Sequence, residues 1–256
     1  GRKDLRAGLI RAVGEPGARF REDYLRILRA IRFAARFDFS VEAVTWRAAV
    51  EASPGLAGLS AERVRDEWFK GLETARSIPR LVELWHGVRA APTWLPDLLQ
   101  PYPGSDPAPA VRDPVVLTAL ACRDPAATLR RLRASNQDIN RASAMMELPR
   151  APVSSEPAAV RRWMAAVGAA RRDLLLLERC RAGADADWEG LVHAVEERGE
   201  PTSLRQLAVT GEDLLAAGVP AGPQIGEILS RLLNLVLDDP SRNRRETLLE
   251  LSRRWT

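Results

Sequence analysis

Cysteine, histidine, lysine and long apolar runs are all scarce in this 256-residue chain. Its two cysteines, Cys122 and Cys180, lie far apart and form no CxxC pair. That excludes a disulfide framework and suits a reducing compartment, here read as cytoplasmic. Its two histidines, His86 and His193, are isolated and have no His or Asp partner at metal spacing. A His-Asp metal phosphohydrolase module is therefore excluded, and both residues read as surface or packing positions. No serine sits in a nucleophile-elbow motif. No stretch reaches the roughly 20 apolar residues of a membrane helix. The run Leu174–Leu177 is short and framed by charge. The start, Gly-Arg-Lys-Asp-Leu, shows no signal peptide and no initiator Met, and reads as a piece of a longer protein.

Arginine is what the chain has in quantity. Lys3 and Lys70 are the only lysines, so a formal net charge of +4 rests almost wholly on guanidinium groups. Arginine favours planar, bidentate contacts with phosphates and base edges. A basic balance leans toward an anionic partner such as nucleic acid, although a GC-rich genome produces the same bias. Hydrophobic residues make up 46%, enough for a packed core in one large or two to three small domains.

The apolar spacing is helical nearly everywhere, and the absence of alternating runs argues against a substantial sheet. Tyr24, Ile27, Leu28, Ile31, Ala34 and Ala35 predict a helix over 21–37. Further helices are expected over 41–51, from an N-capping Ser60 through Leu72, and from Pro79 in a first turn to about Val88. Seven prolines between 91 and 114 predict a loop or linker. Helices resume at 114–122, 125–133 and 136–146. After a Pro/Ser break at 149–157 they continue at 157–181 and 185–198. Residues 203–256 read as short helices separated by Gly and Pro. No fixed-period repeat is present. Trp46, Trp68, Trp85 and Trp163 fall at apolar positions and are expected in the core, and both cysteines are expected to be inert. Asp185 and Asp187 have a D-x-D spacing but read as a helix N-terminus, where acids are favoured.

Two stretches carry candidate chemistry. In the first, Asp23, Arg26, Arg29 and Arg32 recur at steps of three among apolar residues. A carboxylate accepts hydrogen bonds and a guanidinium donates several in one plane. Together they match the Watson–Crick edge of cytosine or adenine, with an exocyclic amine beside an accepting ring nitrogen. Guanine and uracil have the opposite polarity. Steps of three drift by about 60° each on a helix, so Arg32 lies roughly half a turn from Asp23. Spacing alone equally describes an exposed helix stapled by Asp–Arg pairs worth a few tenths of a kcal/mol. In the second stretch, Gly211, Gly218, Gly222 and Gly226 surround Pro223-Gln224-Ile225. Such glycine turns opening onto a helix present backbone N–H groups to phosphate and resemble helix-hairpin-helix modules, or serve simply as turns and caps. Arg242, Arg244, Arg245, Arg253 and Arg254 form either a cationic surface nearby or a solvated helix face.

The wording around these stretches points to a family. Asp4-Leu-Arg-Ala-Gly-Leu-Ile-Arg-Ala-Val-Gly-Glu-Pro-Gly-Ala-Arg-Phe20 and Glu22-Asp-Tyr-Leu-Arg-Ile-Leu-Arg-Ala-Ile-Arg-Phe-Ala34 closely resemble the class II tRNA nucleotidyltransferases. These are the CCA-adding enzymes and the related bacterial poly(A) polymerases. Leu59-Ser-Ala-Glu-Arg-Val-Arg-Asp-Glu-Trp-Phe-Lys70 resembles the block that buttresses the nucleotide-binding helix. Residues 207–229 are similar to the tRNA-contacting tail of long bacterial members, whereas 91–200 match only as helical filler.

The resemblance implies an all-α fold with neck, body and tail domains in an elongated arrangement. Residues 1–12 would end a catalytic head, 13–90 form the neck, 91–200 the body and 201–256 the tail. It implies addition of C and/or A to the tRNA 3′ end. Asp23 and Arg26 would select the base of CTP or ATP, with Arg29 and Arg32 as further nucleotide contacts. Gly218, Gly222, Gln224, Gly226, Arg242, Arg244 and Arg245 would contact tRNA. The family's chemistry needs a head with a Gly-Ser motif and paired carboxylates holding Mg²⁺. No such motif stands in this chain, so alone it is expected to be inactive and to contain no catalytic or metal-binding residue. Two alternatives stay open: a stand-alone, non-catalytic all-α RNA-binding module, and a poly(A) polymerase. A membrane partner is not expected, and the oligomeric state, homo-oligomers included, is left open.

Overall fold

A computed structural model describes residues 1–108, 112–182 and 188–255. The protein is all-α, as the apolar spacing predicts. The elements are α1 (Arg2–Arg6), β1 (Leu9–Ile10), α2 (Pro16–Glu22), α3 (Leu25–Phe37), β2 (Ser40–Val41), α4 (Ala43–Ala52), α5 (Ala61–Thr74) and α6 (Ile78–Gly87). They continue as α7 (Ala91–Trp94), α8 (Pro114–Ala121), α9 (Pro125–Arg131), α10 (Asn136–Glu147), α11 (Pro157–Val167) and α12 (Arg171–Ala182). The last four are α13 (Glu189–Glu197), α14 (Gly211–Ala216), α15 (Pro223–Asp238) and α16 (Arg245–Arg253). Among the described residues, sheet structure is limited to β1 and β2. They pair in parallel with Leu9 opposite Ser40 and Ile10 opposite Val41.

Several boundaries differ from the expected ones for local reasons. The helix expected over 21–37 is interrupted. α2 ends at Glu22, Asp23 is extended (φ −157°, ψ 105°), and α3 starts at Leu25. The Asp23 carboxylate accepts from the Leu25 N–H at 3.1 Å, the competition with helical bonding to which short acidic side chains are prone. Ser60 does stand at the N-cap of α5, but its hydroxyl accepts no capping hydrogen bond. The proline-rich loop begins only after a short helix that takes Pro92 into its first turn. The helix expected over 157–181 divides at Gly168, whose φ of 50° is readily adopted only by glycine. Asp185 and Asp187 lie outside the described residues.

The chain packs as two units, Gly1–Glu147 with Leu176–Ala184, and Leu148–Leu175 with Asp185–Thr256. In the first, α3 packs on α5 and α6, and α8 on α5, α9 and α10. Ile27, Leu28, Ile31, Trp68, Leu72, Leu81, Trp85 and Leu117 are fully buried. The Trp68 and Trp85 rings meet edge-on at 5.2 Å. The Trp68 indole N–H donates to Thr118 Oγ1 at 3.0 Å, so its polar edge is satisfied inside the core. Trp46, expected in the core, is only half-buried and lies against Gly87. Cys122 and Cys180 are buried; burial pushes their thiols up to about 12 and about 11, which leaves both protonated and inert.

In the second unit α11 packs on α13 and α15, and α14, α15 and α16 enclose Leu214, Ile228, Leu232, Val236 and Leu248. Trp163 and Trp188 meet edge-on at 4.9 Å. Arg161, 5% exposed, ties these helices together. It donates to Leu237 O (2.7 Å), Asp238 O (3.0 Å) and Glu200 Oε2 (2.8 Å), so one guanidinium closes the C-terminal end of α15. Replacing it by an apolar side chain leaves two carbonyls without a donor and Glu200 with Arg198 alone. Arg161→Met is expected to destabilise this unit by about 3 kcal/mol. Chemical denaturation followed by tryptophan fluorescence measures it, and a midpoint equal to the parent's would overturn the assignment.

Candidate functional site

The two halves of the expected 21–37 helix form one side of an open cleft. Glu15 caps α2 by accepting from Ala18 N–H at 2.6 Å, and Pro16 starts its first turn. α3 buries Leu25, Ile27, Leu28, Ile31, Arg32, Ala34 and Ala35 along its inner side. That burial fixes the rotation of the helix and turns Arg26 and Arg29 outward. The opposite side is the segment 10–13. It is held by the β1–β2 pairing and by Thr45 Oγ1, which accepts from Ala12 N–H at 3.2 Å. The cleft encloses about 460 Å³, with Asp23, Arg26, Arg29, Phe20 and Phe33 among its lining residues.

Three of the four expected base-recognition residues thus share one cavity. Asp23, between the two helices, is held by α5 as well as by the Leu25 N–H. Arg63 on α5 bridges both carboxylate oxygens through one Nη2, at 3.2 and 2.9 Å. Arg26 is not paired with Asp23. Its Nη1 donates to Glu22 Oε2 at 2.6 Å and to Arg19 O at 3.0 Å. Arg26 and, secondarily, Arg19 keep the Glu22 carboxyl below the usual glutamate range, so it is anionic at neutral pH. Arg29 is exposed and, among the described residues, holds no hydrogen-bond or ion-pair partner.

Arg32 departs from the expectation. It is 8% exposed, and its Nε donates to Glu67 Oε2 at 2.6 Å inside the fold. Drift along α3 explains this: two steps of three beyond Arg26, Arg32 has turned into the core. Arg32 does not line the cleft. The spacing did not single out Arg63, Glu22 or Phe33. Arg63 is 40 positions from Asp23, and only the packing of α3 on α5 brings them together.

In the second unit the glycine turns connect α14 to α15. Gly218 and Gly222 have φ of 97° and 143°, so both turns require glycine-like backbone. Gln224 and Gly226 lie in the first turns of α15, and Gly226 O accepts from Ser230 Oγ at 2.8 Å. Arg242 pairs with Asp239 at 3.2 Å, and Arg245 pairs with Asp213. Arg244 is exposed at the N-cap of α16 and, among the described residues, has no side-chain partner. Asn243 bridges this loop to the 206–208 segment, accepting from Ala208 N–H (2.8 Å) and donating to Gln206 O (3.0 Å). Among the described residues no three His, Cys, Asp or Glu side chains group to hold a metal ion, and no helix is long and apolar enough to cross a membrane.

The fold and cleft define an all-helical protein that presents the Asp23 carboxylate and the Arg26 and Arg29 guanidinium groups beside an apolar wall. Residues 115–252 match the family model for tRNA nucleotidyltransferase domain 2 (putative), more than half of the chain. The chain therefore belongs to the tRNA nucleotidyltransferase family. It is 30% identical over 266 residues to the CCA-adding enzyme of Geobacillus stearothermophilus, covering 97% of this chain and 64% of that protein. With the CCA-adding enzyme of Pediococcus pentosaceus it shares 28% identity over 262 residues, again 97% and 64% of the two chains. The chain thus spans just under two thirds of the length of these curated relatives. The Bacillus stearothermophilus CCA-adding enzyme, solved in complex with CTP, superposes with a TM-score of 0.75 at 25% identity, over 99% of this chain and 67% of that one. The Thermotoga maritima CCA-adding enzyme, solved with tRNA, has a TM-score of 0.65 at 20% identity over 100% and 66%, a likeness of fold.

Asp213 gives the second unit an acid-sensitive fastening. Arg245 first, and Thr210 next, hold its carboxyl down to about 2, against an ordinary 3.8. The folded form binds the proton less readily than the unfolded form, so this stabilisation is complete above about pH 4 and fades as the pH falls toward 2. Asp213→Asn should lower the melting temperature slightly at pH 7 and flatten its decline between pH 4 and 2. Circular dichroism melts across that range check it, and an acid limb as steep as the parent's would refute it.

Proposed function

We propose that this chain is the base-selecting and tRNA-binding part of a CCA-adding tRNA nucleotidyltransferase, which uses CTP and ATP. The observation that carries the reading is the convergence of Asp23, Arg26 and Arg29 in one cleft, on a chain so similar in fold to a CCA-adding enzyme solved with CTP. The relatives named above are CCA-adding enzymes, and the proposal takes that activity rather than poly(A) synthesis.

The cleft's chemistry supports the roles. Asp23 is acceptor-only when ionised, and Arg63 does not exhaust its lone pairs. It can take the exocyclic amine of cytosine or adenine. Arg26 uses only Nη1 for Glu22 and Arg19, so Nε and Nη2 remain to donate to the ring nitrogen and, in cytosine, the carbonyl. A uracil or guanine edge would meet this pair acceptor-to-acceptor and donor-to-donor. Arg29, unpaired in the cleft, suits a phosphate oxygen. Phe33 and Phe20 supply apolar wall that any base can lie against. Arg32 is assigned to the scaffold, not to the nucleotide. Among the described residues no three His, Cys, Asp or Glu side chains group to hold the family's Mg²⁺. In the second unit, the turns at Gly218 and Gly222, with Gln224, Gly226 and Arg244, would meet the tRNA backbone. Arg242 and Arg245 would add charge only by sharing it with Asp239 and Asp213.

Asp23→Ala in the full-length enzyme should relax discrimination of CTP over UTP by roughly 10- to 150-fold, the value of about 1.5–3 kcal/mol for a charged hydrogen bond. Steady-state incorporation on tRNA lacking CCA measures it, and unchanged selectivity would sink the template role. Deleting 203–256 would also remove the carbonyls that Arg161 holds, so a point change is the cleaner probe of the second unit. Arg244→Glu should weaken tRNA binding at least several-fold, reduce its salt dependence and leave CTP binding unaltered. Filter binding at two or more salt concentrations tests this; an equal loss of tRNA and CTP affinity would count against it.

A further inference from the structure

Arg11, Arg19, Arg26 and Arg29 all line the cleft, where Asp23 is the one carboxylate among the lining residues. Reading a base edge uses one anion and one cation. The cationic excess lies on both walls, with Arg29 on α3 and Arg11 on the facing segment. We infer that Arg11 is a substrate-binding residue that takes a phosphate group, from the wall opposite Arg29. The inference rests on the reading of the cleft as the nucleotide site.

The backbone on either side of Arg11 is fixed. Ile10 O accepts from the Glu42 N–H at 2.9 Å, and the Ala12 N–H donates to Thr45 Oγ1 at 3.2 Å. The Arg11 head group is held much less firmly. Its Nε reaches Asp4 Oδ1 and its Nη1 reaches Glu42 Oε1, each at 3.3 Å. Firm hydrogen bonds between a guanidinium and a carboxylate are shorter, about 2.7–2.9 Å. Nη2 takes part in neither contact. With the Arg11 side chain 48% exposed, these pairs add little to stability. Glu42 does not depend on them either. Its Oε2 accepts from the Thr45 N–H at 2.9 Å and from the Thr45 hydroxyl at 2.7 Å. Thr45, ahead of Arg11, keeps the Glu42 carboxyl below the usual glutamate range.

The other cations of the cleft are committed differently. Arg19 and Arg26 share the Glu22 carboxylate, at 2.9 and 2.6 Å. Arg29 has no hydrogen-bond or ion-pair partner among the described residues. Arg11 and Arg29 are thus the two guanidinium groups most readily drawn to a new anion, and they stand on opposite walls. A phosphate offers several acceptor oxygens to planar donors of this kind, so it can draw Arg11 away from its two long pairs at small cost. Two substrates carry such a group: the nucleotide, through its triphosphate, and the RNA, through its last phosphodiester.

The test uses the full-length enzyme and equilibrium dialysis with CTP, with cytidine and with tRNA lacking CCA, together with the melting temperature. Arg11→Ala is expected to weaken CTP about tenfold, the value of one charged hydrogen bond, and to leave cytidine unchanged. The melting temperature is expected to stay within about 2 °C of the parent. Arg11→Lys, which keeps the charge but loses the planar fork, is expected to recover part of the CTP affinity. A loss confined to tRNA, with CTP unchanged, also supports the inference and identifies the RNA backbone as the source of the phosphate. Equal weakening of CTP and cytidine makes Arg11 a fastening of the cleft wall and overturns the inference. Unchanged affinity for both CTP and tRNA overturns it as well. Asp4→Asn, which loosens one present partner and keeps the guanidinium, is expected to bind CTP as tightly as the parent. A tenfold loss there would assign the effect to the ion pair and count against phosphate binding. If Asp23→Ala leaves CTP over UTP selectivity intact, the reading of the cleft fails, and this inference with it.

Discussion

The buried pair between Arg32 and Glu67 is the contact on which the first unit's chemistry depends. Both side chains are more than nine-tenths buried, and the donor and acceptor lie 2.6 Å apart. In such surroundings neither charge is tolerable without the other, so the pair dictates which side of α3 faces α5. With about 100° per residue, turning Arg32 inward places Arg29 and Arg26 progressively farther out, where they meet the cleft. The apolar residues of α3 favour the same rotation, so packing and ion pairing act together.

The cleft's charges are prearranged to different degrees. Asp23 is held by Arg63 and by the first turn of α3, and Arg26 by Glu22. Arg29 has no hydrogen-bond or ion-pair partner among the described residues. Groups that read a rigid base edge benefit from being fixed in advance, because discrimination depends on donor–acceptor alignment. A group that meets a flexible phosphate chain tolerates freedom. The division of constraint thus follows the division of roles proposed for these residues.

Arginine abundance is a poor guide to function here, because much of it is structural. Arg161 closes the end of α15, Arg32 fastens α3, and Arg112 donates to the Ala75 and Pro107 carbonyls. These guanidinium groups satisfy backbone acceptors or buried carboxylates, a use to which a planar five-donor group is suited. The basic character available to an anionic partner is what remains outside, in residues such as Arg29 and Arg244.

The sequence by itself determined the helical class, most helix positions and the stretch in which the candidate readers lie. Apolar spacing and proline placement are local signals, and helices are built from local contacts. It also placed Asp23, Arg26 and Arg29 in one group. What it missed has two causes, one local and one long-range. The break at Asp23 arises from a side chain competing with helical hydrogen bonding, which a period of 3.6 does not register. The inward turn of Arg32 and the approach of Arg63 depend on partners 35 and 40 positions away. Only the packing of α3 on α5 decided that Arg32 would hold the scaffold, and that the acceptor in the cleft would be steadied by a residue from another helix.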